Sequence, residues 1–252
     1  MIQSGRTRDS VNRTQCHIRW LGRLGYEEAR ILQEAFAKDR AQGLIPDTLI
    51  LLEHPPTVTL GRCGQESNLL VPRELLEKQG IAVYRTDRGG DVTFHGPGQL
   101  VGYPVVDVRN REGRVGRYLR DLERVLISSL AEFGVEGRTI PKLTGVWAGN
   151  EKIAAIGIKV NARGITGHGF ALNLTTDLSY FDKIVPCGIR DKGVTSLERV
   201  LGHPVPMIEA AKKVADAFVR VFDMEPEDFS VAGFEASLAP CAKLTNVPCQ
   251  HC

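Results

Sequence analysis

Charge of one sign is the first thing this sequence lacks. Its 32 Lys and Arg against 30 Asp and Glu leave a formal net charge of +2 over 252 residues. That balance excludes a basic coat for nucleic acid and an acidic disordered tail. Long apolar runs are missing too. None reaches the roughly 18 residues that a membrane-spanning helix needs, so no membrane partner is expected. No apolar stretch with a small-residue cleavage site follows Arg6, Arg8 and Arg13, which argues against secretion. The six cysteines, at 16, 63, 187, 241, 249 and 252, are too few and too scattered for a disulfide scaffold. Reduced thiols in a cytoplasmic setting are expected, ahead of a mitochondrial one.

Familiar motifs are absent as well. There is no G-x-x-x-x-G-K-[ST] phosphate loop, no dinucleotide glycine fingerprint, no H-E-x-x-H and no G-x-S-x-G elbow. Cys241, Cys249, His251 and Cys252 supply one C-x-x-C spacing but no well-spaced four-ligand set, so no metal is expected. Asn12-Arg13-Thr14 and Asn173-Leu174-Thr175 match a glycosylation pattern that the inferred compartment leaves idle.

What is present is ordinary for a soluble globular chain: 42% apolar and 25% charged residues. The length lies between one and two typical domains, and an α/β chain of this size can bury one sizeable core. No internal repeat or linker composition divides it. The expectation is a single domain over residues 1–225 and a tail over 226–252.

Periodicity places the elements. Cys16–Trp20 reads as a strand. Tyr26 to about Arg40 reads as a helix, with Tyr26, Ala29, Leu32 or Gln33, and Phe36 on one face. Strands are expected at Leu49–Leu52, Val58–Leu60, Ile81–Arg85 and Leu100–Val108, with a loop over 86–98. The prolines of His54-Pro55-Pro56 end one strand, since proline donates no ladder bond. Val115, Leu119, Leu122, Leu126, Leu130 and Phe133 form the stripe of a helix over about 115–133. Arginines between 109 and 124 are assigned to its solvated face. Leu143–Ala148 and Ile153–Val160 look like a hairpin turned by Gly149-Asn150. Phe170–Leu174 adds a strand, and Ile208, Ala211, Ala215, Phe218 and Phe222 mark a last helix. Hairpin-linked strands with helices between some of them favour an α+β fold with a mixed sheet flanked by helices.

Four segments carry candidate chemistry. Residues 88–99 pack four glycines together with Arg88, Thr93, His95 and Gln99. Such a segment is either a tight surface turn or a cradle in which backbone N–H groups meet an oxyanion or thioester. Cys187 sits between Pro186 and Gly188; it is either a small buried hydrophobe or a thiol presented by a fixed turn. Lys152 begins a strand in which 152, 154, 156 and 158 are expected to share a face with Ala154, Ile156 and Ile158. A lysine on that face either snorkels to water or has a role that offsets its burial. His168, between Gly167 and Gly169, is a catalytic or ligand-orienting imidazole, or a core histidine bonded to backbone.

Taken in order, these segments resemble the octanoyltransferases of the lipoate pathway. The resemblance runs through Trp20-Leu21-Gly22-Arg23 with Tyr26, Leu51 to Pro56, Thr59 to Arg62, the 88–99 segment with Tyr103-Pro104, and Gly145-Val146-Trp147. It continues through Lys152-Ile153, Gly157, His168 to Asn173, Ile184 to Ile189, and Val194 to Leu197. Cys63 departs from the usual polar or basic residue. The resemblance implies the mixed-sheet fold of biotin and lipoate protein ligase catalytic domains. It implies transfer of an octanoyl group from octanoyl-acyl carrier protein to a lysine of lipoyl domains, in 2-oxoacid dehydrogenase complexes and the glycine cleavage H protein, with no cofactor. By motif context it assigns catalysis to Cys187 and Lys152. It assigns the substrate pocket to Arg88, Gly89, Gly90, Thr93, His95, Gly96, Gly98, Gln99 and Tyr103. It adds Ala154, Ala155, Ile156 and Gly157 from the strand after Lys152, and Gly167, His168, Gly169, Phe170, Ala171 and Asn173. The alternatives are a cysteine-dependent octanoyl or lipoyl amidotransferase, an ATP-dependent lipoate or biotin ligase, and a module that only docks carrier domains.

Overall fold

The structure is a computed structural model that describes residues 13–109, 115–188 and 192–227, Cys187 by its backbone alone. The first half of the chain runs β1 (Thr14–Arg23), α1 (Tyr26–Ala41), β2 (Asp47–Glu53), β3 (Thr57–Leu60), α2 (Arg73–Lys78), β4 (Ala82–Arg85), β5 (Val92–His95) and β6 (Gln99–Val105). The second half runs α3 (Val115–Ala131), β7 (Gly137–Ile140), β8 (Leu143–Ala148), β9 (Glu151–Val160), β10 (Thr166–Asn173), α4 (Leu197–Leu201), α5 (Met207–Val221) and β11 (Met224–Glu227). Short 3₁₀ turns fall at Glu66–Asn68, Leu178–Lys183 and Pro186–Gly188.

Among the described residues two sheets form. The large one has the order β11-β1-β2-β6-β10-β9-β8-β7, and the small one β4-β3-β5. β1 pairs in parallel with β2 and β11, and the strands from β2 to β7 pair antiparallel, so the sheet is mixed as expected. Alternation sorts the large sheet's side chains by face. Leu49, Leu51, Leu100, Phe170 and Leu172 pack with α3 and α5. Ile50, Leu52, Val101, Tyr103 and Ala171 pack on the other side with α1. The small sheet has its own core of Val58, Leu60, Val83, Val92 and Phe94, closed by Phe181 and Ile184.

Several expectations need correction. The 86–98 stretch is not all loop, because Val92–His95 pairs antiparallel with β3. Val115 does not belong to the buried stripe of α3; it is 46% exposed, and Tyr118 and Val125 are buried instead. On α1, where Leu32 or Gln33 was expected on the inner face, Gln33 is the buried one, within the expectation. The expected boundary at 225 falls inside β11, whose parallel pairing with β1 carries the sheet to Glu227. The rest of the expected tail, with Cys241, Cys249 and Cys252, lies outside the described residues.

Candidate active site

A bulge in β9 aims the lysine. Val146 of β8 faces Ala154, but Trp147 faces Lys152, so Ile153 is the extra residue. A bulge resets the side-chain alternation. Ile153 and Ala154 both enter the core beneath α3. Lys152 is thereby turned to the opposite face, beside Ala155 and Ala171. The sequence expectation that 152, 154 and 156 share a face is therefore wrong, and Ala154 lies behind the sheet. Lys152 is 6% exposed and is the only buried lysine among the described residues. Its Nζ lies 4.9 Å from the centroid of the Trp147 ring, within range of a cation–π contact.

At Lys152 the sheet changes partner. The pairing of β9 with β10 ends at Ala154–Leu172. Residues 193–195 take over the strand edge: Lys152 N–H donates to the Gly193 carbonyl at 2.9 Å, and Thr195 N–H donates to the Lys152 carbonyl at 3.0 Å. A small cavity of about 10 Å³ lies there, walled by Lys152, Thr93, Gln99, Ala155, Ala171, Asn173, Phe181, Pro186 and Val194. Pro186 begins the turn that carries Cys187, so this turn borders the lysine's cavity. The Cys187 side chain lies outside the described residues. Gly188 N–H closes the turn on the Val185 carbonyl at 3.0 Å.

A second cavity of about 50 Å³ continues along β9 and β10, sharing Thr93, Ala155 and Ala171 with the first. Its walls include Arg88, Gly90, His95, Tyr103, Ile156, Gly157, Gly169 and Phe170, with Tyr26 and His168. The two together form a slot between the α1 face of the large sheet and the small sheet.

Arg88 is fixed, not free to sweep the slot. Its guanidinium donates to the Thr59 carbonyl at 2.7 Å, the Asp91 carbonyl at 2.7 Å, the Gly89 carbonyl at 3.0 Å and the Thr59 hydroxyl at 3.0 Å. Gly89 N–H in turn docks on the Ile158 carbonyl at 2.9 Å. Gly157 makes that docking possible, since a Cβ there would sit 3.0 Å from both Arg88 Cδ and the Gly89 carbonyl oxygen.

Two buried histidines brace the slot, and their partners fix their tautomers. The His54 Nδ1–H donates to the Leu24 carbonyl at 2.7 Å, leaving Nε2 to accept from the Tyr103 hydroxyl at 2.7 Å. Gln99 spends its amide N–H groups on the Phe94 carbonyl and Asn173 Oδ1, so its carbonyl accepts from His95 Nδ1–H at 2.8 Å. Burial lowers His54 to about 4. Burial, with His54 nearby, lowers His95 to about 3. Burial raises the Tyr26 and Tyr103 phenols. From Gln99 the hydrogen-bond chain continues through Asn173, whose Nδ2 donates to the Thr195 carbonyl at 2.9 Å. Thr195 is bonded to Lys152 through its backbone, so buried polar groups link His95 to Lys152 along the slot.

His168 closes the slot from the opposite end. It has φ 54°, its N–H donates to Gln33 Oε1 at 2.9 Å, and its Nε2–H donates to Asp87 Oδ1 at 2.8 Å. Burial lowers the imidazole despite the carboxylate. Burial pulls the Asp87 carboxyl upward, but hydrogen bonds from Lys159 and His168 prevail and hold it at about 2. His168 is thus a neutral, oriented side chain at neutral pH, remote from Lys152 along β10. Gly167 faces an outer groove beyond it. Gly96 and Gly98 build the turn before β6: the Gly96 carbonyl accepts from Gln99 N–H, and Gly98 N–H donates to Glu53 Oε1 at 2.7 Å. Tyr26, His54, Thr59 and Thr195 were not foreseen as site residues. Their signal was their place inside the matched segments, beside residues already singled out.

A sequence model of the lipoyl protein ligase A/B catalytic domain matches residues 25–219. The chain is 51% identical over 210 residues to an octanoyltransferase of Solibacter usitatus, covering 83% of this chain and 94% of that one. It is 52% identical over 197 residues to an octanoyltransferase of Rubrobacter xylanophilus, covering 78% and 88%. Among solved structures it resembles lipoate-protein ligase A bound with ATP, with a TM-score of 0.68, 20% identity and coverage of 90% and 93%. A bi-partite lipoate protein ligase of Thermoplasma acidophilum gives 0.64, at 18% identity and coverage of 90% and 91%. At those identities the two structural likenesses concern the fold.

Proposed function

The chain belongs to the lipoyl protein ligase A/B catalytic domain family and, within it, to the octanoyltransferases, and from that premise we propose a two-step transfer through Cys187. The donor is octanoyl-acyl carrier protein and the acceptor a lysine of a lipoyl domain. The observation that carries the proposal is the bulge: it turns a buried lysine into a cavity bordered by the turn of Cys187.

In the first step the Cys187 thiol passes its proton to the Lys152 amine. The thiolate attacks the thioester carbonyl of the donor, a new thioester bond forms, and the carrier's sulfur leaves with the proton from Lys152. In the second step the acceptor amine attacks the octanoyl–Cys187 thioester. The amide bond forms, the Cys187 sulfur leaves, and Lys152 takes the amine's proton. A thioester on each side of the first step makes it nearly isoenergetic, and amide formation makes the second downhill. No nucleotide is consumed.

The slot suits the acyl chain. From Lys152 to Gly157 is roughly 16 Å along β9 at about 3.3 Å per residue. An extended eight-carbon chain needs roughly 10 Å. Ala155 and Ala171 line the near half with short side chains, and burying seven carbons at about 0.8 kcal/mol each supplies several kcal/mol.

Intact-mass measurement after mixing with octanoyl-acyl carrier protein, without ATP, tests the reading. A gain of about 126 Da, lost on hydroxylamine treatment and absent in Cys187→Ala, is expected for one thioester. Lys152→Ala should fold and lose at least about a hundredfold in transfer. Transfer by the Cys187→Ala enzyme, or transfer only with ATP, overturns it.

A further inference from the structure

The bulge that aims Lys152 has a matching irregularity in the facing strand. Gly145 of β8 has φ 121°, a conformation that L side chains rarely adopt. A Cβ there would lie 2.6 Å from the Ala154 carbonyl oxygen and 3.5 Å from Lys152 Cε. The hydrocarbon stem of Lys152 therefore runs beside Gly145.

Gly145 is held from behind by an acid. Its N–H donates to Glu123 Oε1 at 3.3 Å. Glu123 belongs to α3 and is 1% exposed, while its partner Arg120, one turn earlier, is 58% exposed and binds the other carboxylate oxygen. A buried carboxylate is costly unless it is paired and hydrogen-bonded. The packing of α3 on β8 would be served as well by an apolar side chain. What an apolar side chain cannot do is accept the Gly145 N–H.

We infer that Glu123 is a positioning residue for Lys152: it clamps the Gly145 backbone, and with it the floor under the lysine stem. This rests on Lys152 being the proton carrier. Glu123 touches neither substrate nor sulfur and acts only through Gly145. Without the clamp the Gly145 N–H is orphaned, β8 relaxes, and the amine loses its register over the Cys187 turn.

The test compares Glu123→Ala, Glu123→Gln, Arg120→Gln and Lys152→Ala with the parent enzyme. Leu126→Ala, a truncation in the core of the same helix, controls for general destabilisation. Three readouts are taken: Tm, kcat and KM for octanoyl-acyl carrier protein, and the pH profile of Cys187 alkylation by iodoacetamide. Glu123→Ala should lower kcat about tenfold with KM within about twofold, and shift the alkylation midpoint in the same direction as Lys152→Ala. Glu123→Gln, which keeps an acceptor oxygen, should recover kcat to within about threefold of the parent. Leu126→Ala should lose Tm but not move the alkylation profile. Arg120→Gln, which takes the exposed partner from the buried carboxylate, should lower Tm less than Glu123→Ala and kcat about threefold, and keeps the inference testable should Glu123→Ala fail to fold. A folded Glu123→Ala enzyme with parental kcat and profile overturns the inference while leaving the dyad intact. So does a parental Arg120→Gln where Glu123→Ala does not fold. A Lys152→Ala enzyme as active as the parent overturns the reading on which it rests.

Discussion

Lowering the pH from 7.5 to 5.0 should destabilise this protein steeply, and the buried histidine pair sets the magnitude. His54 is fully buried and His95 is 7% exposed, and both are neutral when folded, with values near 4 and 3. In the unfolded chain each ring takes a proton at its ordinary value of about 6.5. Below that value the unfolded state binds more protons than the folded one, so stability rises with pH across the window and is lost as pH falls. Each ring contributes about 1.4 kcal/mol per pH unit, so two rings over one and a half units amount to about 4 kcal/mol. His168, also lowered by burial, adds to the same slope. Asp87, held at about 2, changes its contribution only below the window. A loss of about 4 kcal/mol is a large part of the 5–15 kcal/mol typical of a domain. Urea titrations at the two pH values read it: with a slope of about 3 kcal/mol per molar, the midpoint should fall by about 1 M or more. A His54→Gln, His95→Gln double variant should start less stable but lose most of the pH dependence. Equal midpoints at both pH values, or an undiminished slope in the double variant, would refute the neutral, buried assignment of the pair.

Two further outcomes follow from the slot. Gly157→Ala places a methyl group 3.0 Å from Arg88 Cδ and the Gly89 carbonyl, which should push the 88–90 segment off β9 and cut kcat/KM about tenfold in steady-state assays. Asn173→Leu removes the acceptor of Gln99 Nε2–H and the donor to the Thr195 carbonyl. Leaving those two groups unpaired should cost about 2–5 kcal/mol, read as a lower urea midpoint, with loss of acyl-enzyme formation.

The large sheet was legible where one face is buried and the other is not. Alternation and the Gly149-Asn150 turn marked β8 and β9, and the apolar stripes marked α3 and α5 within a residue or two at most ends. Elements without a period of their own escaped. β11 reads Met-Glu-Pro-Glu, an edge strand that exists because β1 offers a partner. β5 is four residues inside a glycine-rich stretch and is strand only because β3 pairs with it. α2 and β7 are too short for a pattern to stand out. The motif segments converged because adjacent strands β9 and β10 carry two of them, the 88–99 segment runs through β5 of the small sheet to the start of β6, and the Pro186–Gly188 turn brings the backbone of Cys187 beside them.

Lys152 shows where reading along a strand must fail. Lys152, Ala154, Ile156 and Ile158 fit a regular strand, and nothing local contradicts it. Regular pairing, however, would put the ammonium into the core beneath α3, beside Val146, and turn Ile153 toward the slot. The bulge reverses both. It buries Ile153 completely on the helix side, a gain of about 2–3 kcal/mol for an isoleucine, and it spares the core an unpaired charge. Apolar burial thus drives the chain toward the bulged register, while the Gly145 backbone and its acid clamp decide the angle at which the lysine leaves the strand. Stability selects the face and a polar contact refines the aim. Substitutions at Ile153 should therefore be felt first in the fold, and those at Glu123 first in the chemistry.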